Sequence, residues 1–438
     1  MRLRVATVVL TAIFCIVYLP DVGRGFVQDD YAWISGSRVH AAADVARLFT
    51  SNVGFYRPLV STTFAIDYAV WGLDVRGYAA TNLLLLLADV LLLFQLARRF
   101  LLPAPAALLA AAVWAFNFHG VNMSLLWISG RTTLLMCLFA LAATHAFLAG
   151  VWFGAGMLAL AAMLCKEEAV MLPALLTAFG LVERRSLPRS WPLWAALAVY
   201  MTLRINSGAF GPSDAPAYYR FVFTPAALLR NVAQYLDRAA TWPAVAGAVV
   251  FFGVTTRHPL LEHERRAIVF GALWFVAFYA ITVFLPIRSS LYAVAPSLGS
   301  ALMVGALGSR AWRDDPLRFR RVATALVVVL AVLVPVYRTR NRDFFGPRDL
   351  AARSLNTIQN AVRGGSYPAG TIVVVDDARE GVTLDDAFGS LFPEAIHLFV
   401  GPNWNGEIVS TSDRGTVSAG GDTLVFELSN GALTRPGR

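Results

Sequence analysis

The sequence alternates between long apolar segments and short polar connections. A helix needs roughly 20 apolar residues to cross the hydrocarbon core of a bilayer. On this measure we predict eleven membrane-spanning helices, near residues 3–20, 78–97, 104–118, 132–148, 150–165, 168–182, 191–206, 239–256, 267–285, 290–308 and 321–337. The pattern therefore predicts a polytopic α-helical membrane protein.

The arginines between the spans predict how the chain is oriented. Cytoplasmic connections of membrane proteins carry an excess of lysine and arginine. The arginine-rich connections here lie at 98–99, 184–189, 257–266 and 310–321, whereas the short turns on the other side carry only Arg131, Lys166 and Arg288. We therefore predict a cytoplasmic N-terminus and an extracytoplasmic C-terminus. The first segment precedes no small-residue cleavage pattern, so we interpret it as an uncleaved anchor.

Two stretches outside the predicted spans have a different pattern. Residues 21–77 form a long outer loop, in which 39–49 and 59–70 have the pattern of amphipathic helices lying in the membrane interface. Beyond residue 338 the apolar runs are short, and 372–375, 396–400 and 424–426 are typical of buried strands between turns. We therefore predict a transmembrane domain at 1–338 and a small soluble α/β domain at 339–438.

Composition agrees with a membrane protein and excludes other classes. Hydrophobic residues make up 57% of the chain, and the mean hydropathy is +0.59. The net charge of +9 does not indicate nucleic-acid binding, because the arginines are clustered between spans rather than along one surface. Cys15, Cys137 and Cys165 lie in or beside apolar segments, so we interpret them as packing residues.

The remaining charges beside apolar segments fall on the predicted outer face. The pair Asp29-Asp30 follows the first span, although the same dipeptide also occurs at 314–315, 376–377 and 385–386. Ionisable residues at membrane depth are costly and often functional. The outer set has both signs, which suggests one site with a base and an anion clamp. Its members are Asp29, Asp30, Arg57, Arg131, Lys166, Glu167, Glu168 and Arg288.

Four motifs in order resemble the GT-C class of membrane glycosyltransferases. They are FVQDDY at 26–31, YRPL at 56–59, WISGR at 127–131 and CKEEAV at 165–170, and Arg288 and Tyr292 follow them. The chain is most similar to the tetratricopeptide-repeat-containing and protein O-mannosyltransferases and their bacterial relatives. It departs from them at Gly120 and Ser124, where the family usually has proline and glutamate, and it lacks the repeats.

The resemblance implies transfer of a sugar, with inversion, from a polyprenyl-phosphate donor to an acceptor hydroxyl on the non-cytoplasmic side. An acceptor hydroxyl needs a general base, for which Asp29 is the first candidate and Asp30 the second. Cations stabilise the charge on the leaving phosphate, and Arg288, Lys166 and Arg57 are the candidates. The remaining predicted substrate contacts are His119, Arg131, Glu167 and Tyr292.

Several alternatives stay open at this point. A transporter or flippase of lipid-linked sugars fits a polytopic protein, and a catalytically silent lipid-binding subunit fits the replaced glutamate. The predicted partners are the bilayer of a bacterial plasma membrane, a polyprenyl-phosphate-linked sugar, and a protein, lipid or glycan acceptor. A divalent cation is possible, but no residue spacing requires one.

Overall fold

The computed structural model describes residues 3–50, 54–116, 124–125, 127–183, 187–209, 215–240, 252, 257–340, 342–365, 367–376, 381–410 and 423–435. Helices dominate the chain up to residue 340. They are α1 (Leu3–Tyr18), α2 (Asp29–Gly36), α3 (Ala42–Thr50), α4 (Pro58–Trp71), α5 (Val75–Arg99), α6 (Ala104–Ala115), α7 (Arg131–Leu148), α8 (Trp152–Met163), α9 (Leu172–Val182), α10 (Trp191–Asn206), α11 (Pro225–Ala240), α12 (Glu262–Tyr279), α13 (Val294–Asp314) and α14 (Pro316–Arg340).

Three helical stretches in the described part of the chain are long and apolar enough to cross a membrane. They are Val75–Arg99, Ile128–Leu148 and Ser290–Asp314, and shorter apolar helices cover Thr7–Tyr18, Ala104–Ala115 and Trp152–Met163. Helices occupy the predicted spans, except that 239–256 lies almost wholly outside the described residues. The chain is therefore a helical membrane protein, and the number of eleven spans stays a prediction.

Small residues and indole hydrogen bonds fix the packing of the helical bundle. A Cβ atom added to Gly271 of α12 would lie 2.6 Å from the carbonyl oxygen of Gly299 in α13, so these two backbones touch. Small residues permit such close approach between membrane helices. Trp114 of α6 and Trp274 of α12 donate their indole N–H groups to carbonyls in the first turn of α13, at 3.1 and 2.8 Å. Helix α13 is thus held from two sides.

The chain after residue 341 combines helices with a sheet. Helix α15 (Arg342–Arg363) leads to strand β1 (Gly370–Asp376), followed by α16 (Leu384–Phe388), α17 (Phe392–Phe399), β2 (Trp404–Ser410), β3 (Thr423–Ser429) and β4 (Ala432–Thr434). The strand order is β2-β1-β3-β4. Strand β1 pairs parallel with β2 and β3, and β4 pairs antiparallel with β3.

The prediction of a strand at 396–400 was wrong, because these residues end helix α17 and follow it directly. Phe392, Ala395 and Ile396 are buried at helical spacing, and Phe392 and Ile396 pack onto Gly406 of β2. A short apolar run fits a buried helix as well as a buried strand. The other two predicted strands lie within β1 and β3. Strand β2 was missed because its sequence, WNGEIVS, begins with polar and glycine residues.

The predicted amphipathic helices at 39–49 and 59–70 correspond to α3 and α4. Helix α4 packs against α2, the short helix that begins at Asp29, and α3 packs against α4. Their location in a membrane interface stays a prediction, as does the domain boundary at residue 338.

Candidate active site

Asp30 lies behind the accessible surface and holds two motifs together. Its side chain is fully buried. One carboxylate oxygen accepts hydrogen bonds from the backbone N–H and the hydroxyl of Ser129, at 2.7 and 2.5 Å. The other oxygen accepts from the backbone N–H of Val27 at 3.0 Å. Burial raises the pKa of Asp30 to about 6, although Ser129, Arg348 and Val27 oppose the rise. Both carboxylate oxygens of Asp30 thus accept hydrogen bonds from the protein.

Asp29, its neighbour, is exposed to solvent. Protein atoms nevertheless surround the carboxylate closely enough that desolvation raises its pKa above the ordinary value, while the positive charge of Arg57 opposes this rise. Asp29 is thus an accessible carboxylate that the protein partly desolvates, so a substrate could reach it. Tyr219 is near enough to interact electrostatically with both Asp29 and Arg57.

Arg57 is oriented by a shared carboxylate. Its Nε and Nη2 atoms donate to Glu167, with the shortest contact at 2.7 Å. Arg204 donates to the same carboxylate at 3.2 Å. Burial alone would raise the pKa of Glu167, but the charge and hydrogen bonds of Arg57 outweigh burial and hold the pKa below its ordinary value. The Arg57 guanidinium also lies 4.3 Å from the ring centroid of Phe55. Glu167 is therefore ionised and orients two arginines.

Lys166, the only lysine in the sequence, is also buried in contacts with the protein. Its Nζ atom donates to Thr133 at 2.8 Å, pairs with Glu168 at 3.1 Å and lies 4.9 Å from the ring centroid of Tyr292. Its side chain is only 5% exposed. This geometry supports a role for Lys166 beneath the site rather than a direct contact with substrate.

Arg288 lies in the loop before Tyr292 and is half-buried. Its Nη1 atom donates to the side chain of Gln234 on α11 at 2.9 Å. Tyr235, next to Gln234, lies against the same loop, with its hydroxyl 3.5 Å from the carbonyl of Ile287. Helix α11 therefore supports the loop that carries Arg288.

Arg131 is fully buried in a compact hydrogen-bond network. It pairs with Asp67 of α4 at 2.5 Å and donates to the side chain of Asn82 at 2.8 Å. It also donates to the carbonyls of Thr63 and Tyr78. All of these groups belong to the protein, so we propose that Arg131 fixes α4, α5 and α7 relative to one another and does not bind substrate.

The structure thus sorts the predicted site residues into two groups. Asp29, Arg57, Glu167 and Tyr292 belong to one electrostatically connected set, whereas Asp30, Arg131 and Lys166 lie beneath it. His119 lies outside the described residues. Sequence reasoning missed the partners Ser129, Thr133, Arg204, Tyr219 and Gln234. The WISGR motif contains Ser129, but no pattern singled out the other four.

The arginines in and beside this set are the side chains suited to contact an anionic ligand. In and around this set, Arg57, Lys166 and Arg204 stand against Asp29, Glu167 and Glu168, and Arg288 lies on the loop before Tyr292. Arginine is well suited to bind phosphate. In the described part of the chain, no group of three His, Cys, Asp or Glu side chains is arranged to hold a metal ion. The possible divalent cation therefore stays a prediction without support from these residues.

The overall fold is that of the GT-C class of membrane glycosyltransferases. The solved structure that shows this is ArnT from Cupriavidus metallidurans, which was determined bound to undecaprenyl phosphate. The two structures superpose with a TM-score of 0.54 over 96% of this chain and 92% of ArnT, at 14% sequence identity. This match confirms the fold expected from the four motifs.

A curated relative is similar in sequence over a shorter region. This is the protein O-mannosyl-transferase Tmtc1 of Drosophila melanogaster, which is 31% identical over 180 residues. The match covers 36% of this chain and only 21% of the Drosophila protein. No protein-family model matches the chain.

Proposed function

We propose that this protein is an inverting glycosyltransferase that moves a sugar from a polyprenyl-phosphate donor to an acceptor hydroxyl on the non-cytoplasmic side of the membrane. The observation that carries the proposal is the position of Asp29. It is an accessible carboxylate beside Arg57, on a GT-C fold. The undecaprenyl phosphate bound to ArnT supports a lipid-phosphate donor, and Tmtc1 supports a hexose such as mannose.

In the proposed reaction, Asp29 accepts the proton of the acceptor hydroxyl. The acceptor oxygen then forms a bond to the anomeric carbon of the sugar, from the face opposite the phosphate. The bond between that carbon and the phosphate oxygen breaks, and both of its electrons leave with the polyprenyl phosphate. A carboxylate whose pKa is raised by burial is a better base than one in water.

The cations have the complementary task of stabilising the departing phosphate. Arg57 uses Nε and Nη2 for Glu167, so with respect to the described residues its Nη1 is left to donate to an incoming oxygen. Arg288 is the second candidate, because its loop is accessible and supported by α11. Fixed positive groups aimed at developing charge lower the barrier without reorganising during the reaction. The arginine-rich connections that the sequence predicts to be cytoplasmic support an extracytoplasmic location for this site.

The test uses the full chain in proteoliposomes with polyprenyl-phosphate-linked hexoses and an extract of cell-envelope acceptors. We expect release of free polyprenyl phosphate together with an equal amount of sugar bound to acceptor. Mass spectrometry of surface glycans from cells with and without the protein identifies the acceptor class. Movement of intact donor across the bilayer with no acceptor modified supports a flippase instead. Donor binding with neither release nor movement supports a silent subunit.

A further inference from the structure

The turn that carries Asp29 is built jointly by the membrane domain and the chain after residue 341. Gly23, Gly25 and Gln28 have φ values of +89°, +131° and +44°. The left-handed region is unfavourable for a residue with a side chain, and it persists only where the surroundings enforce it. Gln28 immediately precedes Asp29, so whatever enforces its conformation also sets the direction of the carboxylate.

Helix α16 supplies that support to Gln28. The backbone N–H of Gln28 donates to the carbonyl of Ala387 at 3.0 Å. Its side-chain amide donates to the carbonyl of Asp386, also at 3.0 Å. The carbonyls in the last turn of a helix lack partners within the helix, and here both accept from the one strained residue before Asp29.

Helix α15 supplies a buried cation to the same turn. Arg348 is 1% exposed, and its Nε atom donates to the carbonyl of Gly25 at 2.8 Å. Its positive charge acts on the buried Asp30 carboxylate. A Cβ atom on Gly25 would lie 2.8 Å from the carbonyl oxygen of Arg348, so the helix and the turn are in direct backbone contact.

Aromatic side chains complete the contact on the other flank of the turn. Tyr31 is fully buried, and its ring centroid lies 5.4 Å from that of Phe388 and 6.3 Å from that of Phe399. Phe26 also lies 6.3 Å from Phe399. The two ends of the turn are therefore held against α16 and α17.

We propose that the chain after residue 341 positions the catalytic turn, with Arg348 and Gln28 as positioning residues that act through Asp29. This inference rests on the proposed function of Asp29 as the base. Arg348 compensates the charge of Asp30 and donates a hydrogen bond to Gly25. Gln28 is hydrogen-bonded to α16 and directly precedes Asp29, so the position of α16 determines the position of Asp29. A displacement of about 1 Å at a reacting group can lower a rate by about 100-fold.

The test is a double-substitution cycle in the full-length protein. We expect Arg348→Met to lower kcat by about 10- to 100-fold, with the KM for donor unchanged. In the Asp29→Asn background the same substitution has no further effect on the residual rate, because there is no base left to position. Arg348→Lys, which keeps the charge, restores part of kcat. Arg353→Gln is the matched control, since Arg353 is an exposed arginine on the same helix.

Gln28→Gly gives a second route if Arg348→Met fails to fold. Glycine accepts a positive φ without strain, so we expect an unchanged or higher melting temperature and a lower kcat. The positioning role is overturned if folded Arg348→Met and Gln28→Gly both keep full kcat. It is also overturned if Arg348→Met lowers the rate by the same factor with and without Asp29. If Asp29→Asn itself keeps full activity, the proposed function fails first, and the two failures are thereby distinguished.

Discussion

Replacement of Asp29 by asparagine separates catalysis from folding. Asparagine keeps the size of the side chain and removes its ability to accept a proton at neutral pH. A positioned general base contributes about 100- to 10,000-fold to a rate. At 1.36 kcal/mol for each factor of ten, the expected rise in the activation barrier is about 2.7 to 5.4 kcal/mol.

The same substitution leaves the fold intact for reasons visible in the structure. Asp29 is exposed and makes no hydrogen bond with its side chain among the described residues. Its raised pKa shows that the folded protein disfavours the charge, so its removal does not destabilise the protein. We therefore expect a melting temperature equal to or above that of the unsubstituted protein and a KM for donor that is nearly unchanged.

The assay is release of polyprenyl phosphate from labelled donor in proteoliposomes. Asp385→Asn is the control, because Asp385-Asp386 is the same dipeptide and Asp385 is likewise exposed. Asp30→Asn is the contrasting variant. The amide nitrogen of the asparagine introduced there must face a backbone N–H or the Ser129 hydroxyl in a buried site. A buried unsatisfied donor costs about 1–3 kcal/mol, so we expect this variant to be less stable. If folded Asp29→Asn retains more than about a tenth of the rate, Asp29 is not the base.

Three further predictions follow from the charge network. We expect the rate to fall as the pH decreases through the raised pKa of Asp29. Because the charge of Arg57 lowers this pKa, Arg57→Gln raises it further and moves this limb of the pH profile to higher pH. Glu167→Gln leaves two arginine charges without their shared carboxylate, so we expect a lower melting temperature and altered donor KM; unchanged values for both contradict the orienting role. Arg131→Met leaves the buried Asp67 carboxylate without its cation, and loss of one member of a buried pair costs about 3–5 kcal/mol. Thermal unfolding measures this loss of stability. The KM for donor, measured on the remaining folded protein, stays unchanged if Arg131 does not bind substrate.

Protonation of Asp30 makes a separate contribution to stability. Its pKa is about 6 in the folded protein against an ordinary value of 3.8, so the folded state binds the proton more tightly than the unfolded state. The difference corresponds to about 3 kcal/mol at 1.36 kcal/mol per pKa unit. This contribution is fully present below about pH 4 and is lost as pH rises through about 6.

The sequence predicted the helices well and the side-chain pairings poorly. Long apolar segments specify membrane helices because unpaired backbone groups are too costly in lipid. The sequence does not show that Lys166 pairs with Glu168 while the residue between them, Glu167, reaches Arg57. The direction of each of these consecutive side chains depends on the turn that the backbone forms there. The contact between Arg348 and Gly25 joins positions 323 residues apart, and only the assembled structure brings them together.

The motifs that indicated the GT-C class mostly encode the support of the site. In the first motif, Asp29 is exposed to solvent, while Asp30 anchors Ser129 of the third motif. In the fourth, Glu167 reaches Arg57 of the second motif, while Lys166 and Glu168 pair beneath it. The first motif is thus linked to the third, and the second to the fourth. Substitutions in the anchoring layer should therefore lower stability and activity together, whereas loss of Asp29 should lower activity alone.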